Sequence, residues 1–90
     1  MAHVTQNQKK LLSRVRRIGG QVAALEKALE ANTDCGEVLI QIAAVRGAVH
    51  GLMMEVLAGH LQEHVVAETD VKRRASEMAA VTDLMRTYVK

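Results

Sequence analysis

The sequence predicts an all-α chain of three helices, and three observations carry that prediction. Its 90 residues contain no proline, no Phe and no Trp, with Tyr88 the sole aromatic, so the apolar half is Ala, Val, Leu, Ile and Met. Such a composition favours helices packed through aliphatic and small side chains over a β-sandwich. Apolar residues recur at spacings of three and four, and no segment alternates with period two.

The first helix is expected to begin near Thr5, where Thr5 and Gln8 fit a capping box. Leu11, Val15, Ile18, Val22, Leu25 and Leu29 then form one apolar stripe, and the helix ends near Ala31–Asn32 in a turn of Asn32, Thr33 and Asp34. The second helix starts at Asp34, with Glu37 as its box partner, and nothing breaks it before about Val66. At the helical rise, 32 residues span about 48 Å, too long for a compact protomer of this size, so the helix is expected to span a dimer. The third helix follows a polar break at Glu68–Asp70, with a looser stripe of Val71, Ala75, Met78, Val81, Met85 and Tyr88.

Ala43, Ala44, Gly47, Ala48 and Gly51 cluster near the middle of the second helix. Alanine's helix propensity is the plainer explanation of the cluster. The preferred one is a close crossing with the same helix of a second chain.

Length allows one domain, residues 1–90, with a modest core that oligomerisation would extend. The lone cysteine, Cys35, excludes an intrachain disulfide framework. No signal-peptide pattern and no apolar run of membrane-spanning length stands out, so the expected compartment is the cytoplasm, with no membrane partner. An enzyme is not expected, because no phosphate-cradling loop is present and the only nucleophile opens a helix with no general base beside it. The net charge of +2 conceals an asymmetry. Residues 1–20 hold Lys9, Lys10, Arg14, Arg16 and Arg17 and no acid, while the rest carries all ten acids against seven basic side chains.

Four side chains are soft or borderline metal ligands: His3, Cys35, His60 and His64. His60 and His64 are an i, i+4 pair on one helix face, a spacing that also suits two solvated histidines. Cys35 lies about 37 Å from His60 along the same helix, so one chain cannot bring both to one ion. Two antiparallel copies can. Placing Cys35 of one copy opposite the other's 60–64 segment sets the two-fold axis at roughly residues 48–49, within the small-residue cluster. A thiolate and two imidazoles suit nickel, cobalt, zinc or copper. Met1 precedes the small Ala2 and is expected to be removed, which would free the Ala2 amine as a further nitrogen donor beside His3. That donor set exceeds the need of tetrahedral Zn²⁺ and favours six-coordinate Ni²⁺ or Co²⁺. His50 falls near the crossing and is read as structural or solvent-facing.

Lys10, Arg14, Arg17 and Gln21 recur at four, three and four residues, a polar stripe beside the apolar seam of the first helix. The stripe suits successive phosphates of double-stranded DNA, although an ordinary solvated face has the same spacing; Lys9 and Arg46 are the next candidates. No helix-turn-helix pattern occurs. A purely structural bundle would leave the acid-free first helix and the ligand spacing as coincidences.

The stretch RVRRIGGQVAALEKALE, Cys35 opening a helix, and VLIQIAAVRGAVHGLMMEVLAGHLQEHV together resemble the CsoR/RcnR family of bacterial transcriptional repressors, over nearly the whole chain. The resemblance implies an antiparallel four-helix-bundle dimer with an outer third helix, dimers pairing into a tetramer, and operator DNA bound until an inducer releases it, derepressing a metal-efflux gene. His3, Cys35, His60 and His64 match the nickel/cobalt branch. His64 stands where copper sensors carry a second cysteine, and persulfide sensors need two cysteines. The alternative is the formaldehyde-responsive, FrmR-like branch, in which Cys35 would act as nucleophile; that branch uses an N-terminal proline amine, and this chain has Ala2.

Overall fold

A computed structural model of the protein describes residues 7–89, which form three helices and no strand. Helix α1 runs Gln8–Glu30, α2 runs Cys35–Leu61 and continues into a π-helical turn at Gln62–Val66, and α3 runs Val71–Tyr88. Asn7 is the N-cap of α1; Thr5, the expected cap, lies outside the described residues.

The α1–α2 turn forms as its residues dictate. Asn32 adopts φ 56°, the left-handed region that Asn tolerates better than most side chains. The Asn32 and Thr33 N–H groups donate to the Leu29 and Ala28 carbonyls at 3.3 and 3.0 Å, a Schellman ending. Asp34 then caps α2, its carboxylate accepting from the Gly36 N–H at 3.0 Å. Asp70 does the same for α3, accepting from the Lys72 N–H at 3.0 Å.

The helix from Cys35 to Val66 is continuous over 32 residues, as its lack of breakers required. Its last turn is wider than expected: the Ala67 N–H donates to the Gln62 carbonyl at 3.0 Å, five residues back. By length and mean hydropathy this helix is also apolar enough to cross a membrane. A search for unbroken apolar runs overlooks that, because Gln41, Arg46 and His50 interrupt the segment.

The protomer measures 56 × 28 × 13 Å. Its least dimension is about one helix diameter with side chains, so it is a single layer. A core needs two layers, and among the described residues only Leu11, Ala28 and Val81 are buried apolar side chains. The inner face of α1 is Leu11, Arg14, Ile18, Gln21, Leu25 and Ala28, the positions least exposed along it. Val15, Val22 and Leu29, expected in the same seam, lie to one side and are about half exposed or more. On α2, Leu39, Ile40 and Ile42 are open, at 62%, 71% and 46% exposure. Only Val81 of the α3 stripe is buried; Val71, Met78, Met85 and Tyr88 are exposed.

Candidate functional site

The ligand-type residues stand at the two ends of α2. Cys35 occupies the first position after the Asp34 cap and is exposed. His60 lies in the last α-helical turn and His64 in the π turn, with ring centroids 4.5 Å apart and planes tilted by 39°. Across the groove, His60 Nε2 approaches Glu77 Oε2 of α3 at 3.3 Å. Glu77 is a neighbour that spacing along the chain does not reveal, because α3 reaches His60 only by folding back. The groove between α2 and α3 has a volume of about 590 Å³ and is walled mainly by Val49, Met53, Val56, Ala80 and Leu84, with His60 and Glu77 among its polar lining.

Do these residues fit a metal? The donor chemistry fits a borderline divalent ion, but the donors are split. Among the described residues, no group of three or more His, Cys, Asp or Glu side chains gathers within one chain. The His pair is in place, and Cys35 is about 37 Å away at the helical rise. His3 and Ala2 lie outside the described residues. His50 is exposed in mid-helix, away from the His60–His64 pair.

The basic stripe on α1 is present but is not one solvated face. Lys10, Arg14, Arg17 and Gln21 share a flank, and α2 packs against part of it. Arg14 makes an ion pair with Glu55 of α2, and Lys10 Nζ approaches the same carboxylate at 2.9 Å. Gln21 is half-buried, with its side-chain oxygen enclosed. The physical reason is the three-four spacing: it sets Arg14 and Gln21 in line with Leu11, Ile18 and Leu25. Lys9, Arg16, Arg17 and Arg46 are exposed and pair with no carboxylate among the described residues.

Glu55 is the functional-site neighbour that sequence reasoning passed over. Hydrogen bonds from Lys10, then from Arg14, hold its carboxyl below the ordinary range, outweighing the opposing desolvation. A signal existed: Glu55 is the sole acid between Glu37 and Glu63 in the most apolar part of the chain. Gly51, one turn earlier, also has a role inside the protomer. A Cβ there would stand 2.7 Å from an Arg14 guanidinium nitrogen, so Arg14 passes directly over Gly51 on its way to Glu55. The small-residue cluster is therefore divided. Gly51 and Ala48 turn towards α1, while Gly47 has open space around it and Ala43 is exposed.

The metal-sensitive transcriptional repressor family matches residues 7–89. Transcriptional repressor RcnR of Salmonella paratyphi B is 44% identical over 90 residues, covering all of both chains. A Serratia marcescens protein from the bioA 5′ region is 50% identical over 91 residues, again over both full lengths. Among solved structures, a variant of the formaldehyde-responsive regulator FrmR from Salmonella enterica serovar Typhimurium, with a glutamate changed to histidine, superposes with a TM-score of 0.84. It is 50% identical, covering 93% of this chain and 96% of that one. The chain belongs to the metal-sensitive transcriptional repressors, the CsoR/RcnR family. Its class of partner is accordingly DNA, its place the cytoplasm where the chromosome lies, and its family one of regulators and not of enzymes.

Proposed function

We propose that this protein represses transcription from operator DNA and is released by Ni²⁺ or Co²⁺, derepressing a metal-efflux gene. The observation that carries this is the division of donors on α2: Cys35 at one end, His60 and His64 paired at the other, and an uncovered apolar face between. Antiparallel pairing of two copies about residues 48–49 would bring Cys35 of one to His60 and His64 of the other, giving two equivalent sites. The same pairing supplies the second layer that the 13 Å protomer lacks. Open Val15, Val22 and Leu29 on α1 then complete a four-helix bundle, and α3 lies outside it; pairing of dimers into a tetramer would cover further apolar surface.

In this site the Cys35 thiolate and the two imidazoles would supply three donors, and His3, the Ala2 amine and the backbone next to that amine would supply the remainder for a six-coordinate ion. Zn²⁺, satisfied by four donors, could bind without engaging His3. Lys9, Lys10, Arg14, Arg17, Gln21 and Arg46 are the proposed DNA contacts, with Lys9, Arg17 and Arg46 exposed and in no ion pair among the described residues.

A second reading is favoured by the likeness to FrmR: a formaldehyde-responsive repressor in which Cys35 is the nucleophile. Operator-release titrations separate the two. Under the nickel reading, Ni²⁺ or Co²⁺ releases the parent protein and fails to release His64→Leu. Release of both proteins by formaldehyde, with no response to either metal, would overturn it.

A further inference from the structure

The contact between α1 and α2 at Glu55 has a consequence for DNA binding. Lys10 and Arg14 are two of the five basic residues in the acid-free N-terminal segment. Both converge on one carboxylate from another helix. Gly51 is open where Arg14 must pass. Lys10, Arg14 and Glu55 thus meet in a single arrangement, in which the guanidinium is held by a planar oxyanion. Arginine presents the same fork to carboxylate and to phosphate, so the two acceptors exclude one another on the same N–H groups.

We propose that Glu55 is an intramolecular competitor for the DNA backbone, holding the phosphate-binding groups of Lys10 and Arg14 in the free protein and surrendering them when α1 lies on the duplex. The inference rests on α1 being the DNA-contacting surface. The pairs lie near solvent, with side-chain exposures of 70% for Lys10, 36% for Arg14 and 23% for Glu55. Such pairs are weak. Glu55 therefore tunes affinity instead of blocking it, and the dense charge of the duplex can displace it. The carboxyl stays ionised, because its two cationic partners favour the charged form. Lys9, Arg16 and Arg17 are left to make first contact.

The test is operator affinity measured against salt concentration for the parent, Glu55→Gln, Arg17→Ala, Arg14→Ala and the Arg14→Ala/Glu55→Gln pair. Glutamine keeps the size of the side chain and removes its charge. Glu55→Gln should bind about 3- to 30-fold more tightly in dilute salt, a gain that shrinks as added salt screens the parent's ion pairs. The gain should shrink in the Arg14→Ala background, where one of the released cations is gone. Unchanged or weaker binding by Glu55→Gln, with Arg17→Ala still weakening binding, overturns the competitor and leaves the α1 surface standing. Unaltered affinity in both arginine variants overturns the surface and the competitor together. Glu55→Ala, which removes the carboxylate outright, provides a second arm if Glu55→Gln folds poorly: binding should again tighten, and looser or equal binding by a folded Glu55→Ala protein counts against the proposal.

Discussion

At the scale of single residues, Cys35 stands at the first helical position of α2, one residue after the Asp34 cap, and is exposed. It is the only thiol in the chain and lies on a different helix from the basic flank. Cys35→Ala should therefore abolish release by Ni²⁺ while operator binding of the metal-free protein persists. Mobility-shift titration with and without Ni²⁺ checks this, and a variant still released by the metal would remove Cys35 from the site. Arg17 is exposed and pairs with no carboxylate among the described residues, so its contribution to DNA binding needs no ion pair to be broken first. Arg17→Ala should weaken operator binding and reduce the salt slope by about one, with Ni²⁺ affinity barely changed.

At the scale of elements, the ends of the helices are where local chemistry is most legible. Asp34 was readable as a cap because a short acceptor preceding a helical run satisfies orphan N–H groups, whereas Asp70, read only as part of a polar break, proves to cap α3 in the same way. Asp34→Ala should lower stability by about 1 kcal/mol, seen as an earlier thermal midpoint. At Asn32 the backbone is left-handed, so Asn32→Val should cost about 1–2 kcal/mol while Asn32→Gly is tolerated. A thermal melt in which the valine variant matched the parent would show that the turn relaxes to another ending. The π turn at Gln62–Val66 was not legible, because its five-residue hydrogen bond depends on where the chain must go next to deliver α3 to His60. Likewise, the apolar period of α1 identified a stripe, but not which of its two sides α2 would cover.

At the scale of the whole molecule, a single layer 13 Å thick cannot bury its own apolar residues. Ile40 at 71% exposure and Leu39 at 62% belong to a helix that is apolar on several sides, as helices buried on several sides are. If copies of this chain supply the missing layer, thermal stability should rise with protein concentration. Ile40→Glu on that open face should dissociate the assembly and abolish high-affinity Ni²⁺ binding together, measurable by sedimentation and by metal titration on the same sample. A concentration-independent monomer that still binds Ni²⁺ tightly would contradict the shared site.

Helix number, the Asp34 cap, the turn at Asn32 and the charge asymmetry were all determined by the sequence itself, because each depends on residues within a few positions of one another. The placement of the candidate ligands was legible for a related reason: His60 and His64 are one turn apart, and the distance to Cys35 follows from an unbroken helix. What only the tertiary structure decided are the contacts between helices that no period encodes. Glu77 meets His60, Glu55 takes Lys10 and Arg14, Arg14 passes over Gly51, and Gln21 turns inward. Each depends on which flank of one helix faces another. A repeat of three and four residues leaves that choice open to within about one side-chain position, and packing makes it by burying the most apolar surface and pairing the charges that cannot avoid it.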